Sequence, residues 1–265
     1  MIALTIAGSD SGGGAGIQAD IKTFSALGVY GASVITAITA QNTLGVTGVH
    51  AIPVEMVAAQ FDAVMSDLDV KAIKIGMLAD IAVIDLLVER LDGIGIPVVL
   101  DPVMVAASGH RLVTEDTVAA LRDRLFARAT IITPNLPEAA VILGEAEAET
   151  LAEMEAQAAR LAAFGPAVLL KGGHLEGGEE SVDLFVDGDV EVLRSPRIAT
   201  RNTHGTGCTL SSAIAANLAK GATLADAVRA GKTYISSAIA AADRLKIGKG
   251  HGPVHHFHAF WDETA

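Results

Sequence analysis

Short runs of apolar, often β-branched residues alternate along this chain with longer segments rich in alanine and leucine. The short runs are apolar at consecutive positions, which is typical of strands covered on both faces of a parallel sheet. We predict strands at Ile2–Ala7, Ser33–Thr39, Ala72–Ile75, Val98–Leu100, Thr130–Ile132 and Ala167–Leu170. The longer segments predict helices at Gly16–Leu27, Val54–Leu68, Ile81–Leu91, Glu115–Leu125, Glu138–Leu143 and Leu151–Phe164. This alternation predicts an α/β protein whose mostly parallel sheet carries helices on both faces.

The pattern changes after the last of these strands. Asp183–Val186 and Val190–Leu193 flank Asp187-Gly188, which predicts a small antiparallel hairpin closed by a two-residue turn. Two further helices are predicted at Thr206–Lys220 and Leu224–Leu245. Because no linker, repeat or low-complexity segment interrupts the pattern, we predict a single domain over residues 1–265.

Composition and charge narrow the class of protein. Hydrophobic residues make up 51% of the chain and aromatic residues 4%, so the core must consist mainly of small aliphatic side chains. The net charge of 19 − 31 = −12 predicts a surface that repels nucleic acid and anionic membranes. A single cysteine excludes an internal disulfide and fits a reducing compartment. Met1–Ala7 lacks a basic flank and predicts a strand rather than a signal peptide, so we expect a soluble cytoplasmic protein.

Three sequence motifs are weaker than they first look. Gly12 and Gly14 begin a dinucleotide-binding spacing, but Ile17 stands where its third glycine is required. A phosphate-binding loop ending at Lys232 would need a glycine where the chain has Asp226. The histidines at 255, 256 and 258 lack an adjacent acidic or thiol partner, so ordinary packing or solvation is favoured over a metal site.

The most informative segment is Asn202–Leu210, a glycine-containing turn that leads into a predicted helix. Such a turn directs unpaired backbone N–H groups, together with the positive end of the helix dipole, at one point. We therefore predict that Gly205, Thr206 and Gly207 bind the phosphoryl group in transfer. Cys208, the only cysteine, lies in the same turn, where a lowered thiol pKa would permit a thiolate near neutral pH.

Polar residues follow the predicted strands, and in a parallel sheet they should meet at one edge, where ligands bind. These positions are Gly8–Asp10, Gln41-Asn42, Gly76-Met77, Asp101, Asn135 with Glu138, and Lys171–Gly173.

Taken together, the motifs resemble the hydroxymethylpyrimidine/phosphomethylpyrimidine kinases of thiamine biosynthesis over almost the whole chain. The matching segments are Gly8–Asp10, Gly13–Asp20, Lys22–Gly28, Val34–Ala37, Ala40–Thr43, Lys74–Leu78, Thr133–Ala139, Lys171–His174, Asn202–Thr209, Gly248–Gly250 and Gly252–His258. The resemblance implies a ribokinase-like three-layer α/β/α sandwich. It also implies transfer of the ATP γ-phosphoryl group to an aminopyrimidine alcohol and then to its monophosphate, with Mg²⁺, in a homodimer.

The resemblance also implies roles for individual residues. Cys208 would accept the proton of the attacking hydroxyl, and Gln41 would recognise the aminopyrimidine edge through two hydrogen bonds. Weaker substrate contacts would come from Gly8, Asp20 and Met77. Asn135, Lys171 and Lys232 would lie near the nucleotide phosphates, and Glu138 and Asp101 are the candidates for the water shell of Mg²⁺.

One departure from the family pattern affects the substrate end of the site. Ser11 and Gly12 stand where the family usually has proline and serine, which predicts a looser loop. This leaves a pyridoxal or pyridoxine kinase, with or without dual specificity, as the alternative activity. A ligand-binding protein without catalysis is a third reading, which the intact Gly205–Cys208 turn opposes. Met104–Arg111 is predicted to form a mobile flap over the ligand.

Overall fold

The computed structural model describes residues 1–78, 80–104, 113–173, 175 and 179–261. Its strands are β1 (Ile2–Asp10), β2 (Tyr30–Asn42), β3 (Gly45–Ala51), β4 (Val70–Ile75), β5 (Val98–Leu100), β6 (Ile131–Ile132), β7 (Ala167–Lys171), β8 (Glu180–Asp187) and β9 (Asp189–Pro196). They form one sheet in the order β3-β2-β1-β4-β5-β6-β7-β8-β9. The pairings from β2 through β7 are parallel, whereas β3, β8 and β9 add antiparallel strands at the two edges. The predicted mostly parallel sheet is confirmed.

The α-helices follow the predicted segments closely. They are α1 (Gly16–Ala26), α2 (Val54–Asp67), α3 (Ile81–Arg90), α4 (Glu115–Ala120), α5 (Leu136–Leu143), α6 (Leu151–Ala162), α7 (Thr206–Ala219) and α8 (Leu224–Ala240). A π-helical turn at Leu121–Leu125 extends α4, and short 3₁₀ turns lie at Phe126–Arg128 and Ala242–Arg244. Among the described helices, none has both the length and the apolar character that a membrane crossing requires.

Two hydrophobic cores lie on opposite faces of the sheet. Helices α2 to α6 bury their apolar residues in one core, and α1, α7 and α8 bury theirs in the other. The central strands supply side chains to both cores alternately, for example Leu4 to the first and Ala3 to the second. This arrangement is the predicted three-layer α/β/α sandwich.

Helix α7 has an unusually buried position, which fixes the place of its first turn. Ala213, Ile214, Ala215 and Ala216 are all fully buried, and α7 packs between α1 and α8 against the sheet. Small side chains allow this close approach, so the N-terminus of α7 is held at the edge where the parallel strands end.

The sequence patterns missed one strand and leave one segment without a test. β3 is almost entirely exposed and reads Gly-Val-Thr-Gly-Val-His-Ala, so it carries neither a continuous apolar run nor a clean alternation. Most of the predicted flap, residues 105–111, lies outside the described residues.

Candidate active site

All but one of the predicted site residues line a single cavity of about 610 Å³ at the carboxyl edge of the sheet. These residues are Gly8, Gln41, Met77, Asp101, Asn135, Glu138, Lys171, Gly205, Thr206, Gly207, Cys208 and Lys232. They come from β1, β2 and the ends of β4, β5 and β7, and from α5, α7 and α8. The parallel topology therefore gathers residues that are far apart in the chain, as predicted.

The first turn of α7 lacks a side-chain cap. Its N-cap residue, Gly205, has a left-handed φ of +79°, and a Cβ there would lie 1.9 Å from the Gly14 carbonyl oxygen. The Thr206 N–H donates to the Thr203 carbonyl at 3.2 Å, which corrects the prediction that this amide faces a ligand. Within the described part of the chain, the N–H groups of Gly207 and Cys208 have no protein acceptor. The turn therefore offers open amides and a positive dipole end to an anion.

The Cys208 thiol differs from the prediction in its proton affinity. Burial raises the pKa of Cys208 to about 11, and the nearby Lys74 charge offsets only part of that effect. The negative charges of Asp20 and Asp101 raise it further, against a backbone hydrogen bond from Gly16. This raised pKa contradicts the expected thiolate near neutral pH, because burial outweighs the Lys74 charge and the Gly16 hydrogen bond.

A buried ion pair lies beside this turn. Lys171 Nζ is 3.0 Å from Asp101 Oδ1, and the Thr133 hydroxyl donates to the same oxygen at 3.0 Å. A Cβ at Gly207 would lie 3.1 Å from Lys171 Nζ and 3.2 Å from Asp101 Oδ2. Gly207 therefore lets the ammonium and the carboxylate approach the helix start closely.

Helix α5 also begins at the cavity, but the side chains of Asn135 and Glu138 already bond to backbone N–H groups at its start. Asn135 Oδ1 accepts the Glu138 N–H at 2.8 Å, and Glu138 Oε2 accepts the Asn135 N–H at 2.9 Å. Burial raises the pKa of Glu138 to about 7, although the nearby Lys171 charge lowers it. Glu138 therefore changes protonation state close to neutral pH.

The two predicted metal-binding carboxylates suit Mg²⁺ held largely by phosphates and water. Asp101 and Glu138 both line the cavity, and the charges of Lys171 and Asp101 both act on the Glu138 carboxyl group. Across the described ranges, no three His, Cys, Asp or Glu side chains gather as a metal cluster. Mg²⁺ in nucleotide sites commonly uses one or two carboxylates and keeps its water, so this sparse donor set fits.

Lys232 reaches the cavity from α8 as half of an ion pair. Its Nζ lies 2.6 Å from Asp183 Oδ2, while Asp183 Oδ1 accepts the Gly172 N–H at 3.0 Å. The ion pair thus holds the Lys232 ammonium group at a fixed position in the cavity wall.

The substrate end of the cavity combines an amide, a thioether and a glycine. The Thr39 hydroxyl donates to Gln41 Oε1 at 3.1 Å, and Gln41 Nε2 lies 3.5 Å from His204 Nε2. A Cβ at Gly8 would lie 2.7 Å from the Met77 methyl carbon. The Met77 side chain therefore packs over Gly8, where a larger residue would displace it.

Asp20 is the predicted site residue that does not line the cavity. It is fully buried on α1, where its carboxylate accepts hydrogen bonds from Thr5, Lys74 and Ser212. This corrects the expected substrate contact, since the side chain points towards the sheet beneath α7. The sequence gives the residue type but not the direction in which it points.

Asp10 and His204 also line the cavity, and no role was predicted for either side chain. The Asp10 carboxylate accepts the N–H groups of Gly12, Gly14 and Ala15, and His204 Nε2 lies 2.8 Å from its Oδ2. Burial raises the pKa of Asp10, but the hydrogen bonds from His204 and the backbone outweigh it and leave the pKa lowered. The position of Asp10 at the end of β1 was the signal available for it.

The loop after β1 is tied to β2 by a side chain. The Ser11 hydroxyl donates to the Gln41 carbonyl at 2.7 Å and accepts the Gln41 N–H at 2.8 Å. The Asp10 carboxylate holds the same loop through the N–H groups of Gly12, Gly14 and Ala15.

Comparisons with known proteins agree with this geometry. A family model described as phosphomethylpyrimidine kinase matches residues 10–255. A hydroxymethylpyrimidine/phosphomethylpyrimidine kinase of Rhizobium meliloti is 61% identical over 264 residues, covering 99% of each chain. The ADP complex of a Bacillus subtilis pyridoxal kinase is 38% identical with a TM-score of 0.90, covering 98% of this chain and 99% of that one. A Clostridium difficile phosphomethylpyrimidine kinase structure is 43% identical with a TM-score of 0.79, covering 90% and 99%.

Proposed function

The chain belongs to the phosphomethylpyrimidine kinase family, and on that premise we propose the reaction that it catalyses. It transfers the γ-phosphoryl group of ATP to 4-amino-5-hydroxymethyl-2-methylpyrimidine and then to the resulting monophosphate, in thiamine diphosphate biosynthesis. The single observation that carries this proposal is the uncapped start of α7, whose open amides lie beside a thiol in the cavity that also holds Gln41. An anion site next to a proton acceptor is what phosphoryl transfer to an alcohol requires.

In the proposed first step, the substrate hydroxyl oxygen forms a bond to the γ-phosphorus as the bond between that phosphorus and the ADP oxygen breaks. The negative charge on the transferring group spreads over its equatorial oxygens, where the Gly207 and Cys208 amides stabilise it. The hydroxyl proton passes to the sulfur of Cys208 in its thiolate form. Because the thiol pKa is about 11, that form is a small fraction of the free enzyme at neutral pH.

In this proposal, the nucleotide phosphates lie between the start of α7 and two lysines, Lys171 and Lys232. Lys171 and Lys232 bring positive charge to a protein of net charge −12 at the one place where ATP needs it. Asn135 lies at the same wall. Glu138, acting through water, and Asp101 would hold Mg²⁺, which supplies neutralisation of phosphate charge when bound.

The pyrimidine ring lies against the substrate end of the cavity. The Gln41 amide offers a donor and an acceptor, which match the amino group and ring nitrogen of an aminopyrimidine. Met77 packs on the ring face, where a thioether suits an aromatic surface.

A pyridoxal kinase activity is the second candidate, supported by the fold likeness to the Bacillus subtilis enzyme. The higher identity to the Rhizobium meliloti pyrimidine kinase favours the pyrimidine as the main substrate. A coupled ADP-release assay with hydroxymethylpyrimidine and pyridoxal side by side tests this order. We expect a higher kcat/KM for the pyrimidine, and a clear preference for pyridoxal would reverse the assignment.

The Gln41→Leu variant tests substrate recognition in the same assay. Losing the amide hydrogen bonds should raise KM for the pyrimidine by about 10- to 100-fold, with a smaller change in kcat. Wild-type KM in this variant would remove Gln41 from the proposed site.

The working state of the enzyme follows from two further features. Ile38, Leu44 and Val49 leave exposed apolar side chains around the β2–β3 edge, which supports a homodimer through this edge of the sheet. Light scattering of wild type and Val49→Lys should show a dimer and a weakened dimer, respectively.

A thiol that must stay reduced supports action in the cytoplasm.

A further inference from the structure

A charged pair lies entirely inside the protein, directly behind the first turn of α7. Lys74 on β4 and Asp20 on α1 are both fully buried, and Lys74 Nζ is 2.9 Å from each carboxylate oxygen of Asp20. The Thr5 hydroxyl donates to Asp20 Oδ2 and the Ser212 hydroxyl to Asp20 Oδ1, both at 2.6 Å. One carboxylate thus joins β1, β4, α1 and α7.

Such a pair is not needed for stability alone. Two charges taken out of water lose their hydration, and apolar residues of similar volume usually serve the fold equally well. The Thr5 and Ser212 hydroxyls bond to Asp20, but the hydrophobic core on this face of the sheet consists largely of aliphatic side chains, which an aliphatic pair would extend. The presence of full charges at this position therefore calls for a role in the site.

The position of Lys74 supplies that role. Lys74 also lines the cavity, and a Cβ at Gly76 would lie only 2.8 Å from its Nζ, so the chain leaves room for the ammonium. Ser212, which holds the other side of the pair, lies one helical turn after Cys208 on α7. The ammonium is thus placed behind the residues proposed to bind the phosphoryl group.

We propose that Lys74, paired with Asp20, is a positioning residue for phosphoryl transfer that holds the first turn of α7 and favours negative charge at Cys208. This rests on the proposed function. The charged groups that face Cys208 are Lys74 from β4, Asp20 from α1, Asp101 from the end of β5 and Lys171 from the end of β7, and the Gly16 N–H adds a dipole from the start of α1. Lys74 is the cation with the larger effect on the sulfur, and its attraction exceeds the repulsion from Asp20.

The double variant Lys74→Met, Asp20→Asn tests the proposal, since it removes both charges while an amide can still bond to Thr5 and Ser212. Two readouts are compared with wild type. One is kcat and KM for the pyrimidine. The other is the rate of iodoacetamide alkylation of the free protein at pH 8, which reports on Cys208 alone because the chain has one cysteine.

We expect a folded double variant with kcat lowered about tenfold or more, KM changed less than about threefold, and alkylation slowed about threefold or more. Ser212→Ala is the companion variant, because it removes the hydrogen bond that links the pair to α7 and keeps both charges. It should lower kcat less than the double variant does and alter alkylation by less than about twofold, because the positive charge that faces Cys208 remains. A folded double variant with wild-type kcat and wild-type alkylation would overturn the proposal.

Asp20→Asn alone decides the matter if the double variant does not fold. This variant removes the anion and keeps the cation, so the Cys208 thiol should be alkylated at least as fast as in wild type. If the pair were merely structural, the variant would displace the first turn of α7 and alkylation would be slower. Slower alkylation would overturn the proposal. Because alkylation needs no substrate, an inactive wild-type enzyme would defeat the proposed function and leave this result standing.

Discussion

Helices α5 and α7 begin at the same cavity, but the backbone N–H groups in their first turns are treated in opposite ways. α5 starts with a reciprocal capping box, in which Asn135 and Glu138 satisfy each other's backbone N–H groups. α7 starts with Gly205 in a left-handed conformation, and its N-cap supplies no side chain to the open amides. Both helix dipoles point their positive ends at the cavity, but only the turn of α7 has N–H groups available for a phosphoryl group.

The difference separates a structural helix start from a binding one. At α5 the acid in the first turn already uses the helix terminus, so an incoming phosphate would meet a carboxyl group of raised pKa rather than free amides. At α7 the acid that faces Gly207, Asp101, is paired with Lys171. We therefore propose that α7 binds the migrating phosphoryl group and that the carboxyl group on α5 faces the metal.

The largest expected effect is at the start of α7. A Gly205→Ala change places a Cβ 1.9 Å from the Gly14 carbonyl oxygen at a φ of +79°, so the turn must move. We expect kcat to fall by about 10³-fold, because the preorganised donors are displaced. Steady-state kinetics at saturating ATP and pyrimidine measure this.

The matched control lies at the other end of α5. Gly144 has a φ of +69°, but nothing lies within 4 Å of the position of a Cβ. Gly144→Ala should cost about 1–2 kcal/mol of stability from backbone strain and leave kcat unchanged. If both alanine variants reduce kcat equally, the distinction between the two helices fails.

The next largest effect concerns the sulfur in the α7 turn. Below a pKa of about 11, the thiolate fraction of Cys208 rises about tenfold per pH unit, so wild-type kcat/KM should rise between pH 7 and pH 9. Cys208→Ala should lose about 10²-fold in kcat and the pH dependence with it.

The pH–rate profiles of wild type and Cys208→Ala, measured in parallel, test whether Cys208 takes the proton. A flat wild-type profile, or an alanine variant with the same slope as wild type, would show that the sulfur does not take the proton. The amides and lysines would then carry the rate enhancement.

A smaller effect is expected one residue earlier, where Gly207 faces the ion pair. A Cβ there would lie 3.1 Å from Lys171 Nζ, so Gly207→Ala should push the ammonium away from the turn. We expect kcat to fall about tenfold while the melting temperature stays equal or rises, since alanine favours helix over glycine by about 1 kcal/mol. Full activity in a well-folded variant would mean that Lys171 does not work through this contact.

The smallest effect is expected at α5. Asn135→Ala removes the cap and should cost about 1 kcal/mol of stability, measured by urea unfolding. Thr150→Ala removes the same kind of cap from α6, at a position that does not line the cavity, and should cost a similar amount of stability. The KM for ATP should rise about threefold in the first variant only. Equal ATP kinetics in the two variants would make Asn135 a cap and nothing more.

The fold and the edge where the site lies could be predicted from sequence because both depend on local patterns. The continuous apolar runs of β5 and β7 mark strands buried on both faces, and the polar residues at their ends, Asp101 and Lys171, meet in the cavity. β3 escaped prediction because an exposed edge strand needs no apolar pattern.

What could not be predicted depends on contacts between distant residues. The sequence places Asp20 on a helix, but only packing decides that it faces Lys74 rather than the cavity. The Cys208 pKa depends on burial and on Lys74, Asp20 and Asp101, which come from distant parts of the chain, and burial dominates. The His204–Asp10 contact joins positions 194 residues apart.

We expect the amides at the start of α7 to bind the migrating phosphoryl group. A crystal structure with Mg²⁺, a non-hydrolysable ATP analogue and the pyrimidine would show where that group lies. We expect γ-phosphate oxygens about 2.7–3.2 Å from the N–H nitrogens of Gly207 and Cys208, with the pyrimidine hydroxyl beside the sulfur. A γ-phosphate bound at the N-terminus of α5, with the α7 amides facing only water, would contradict it.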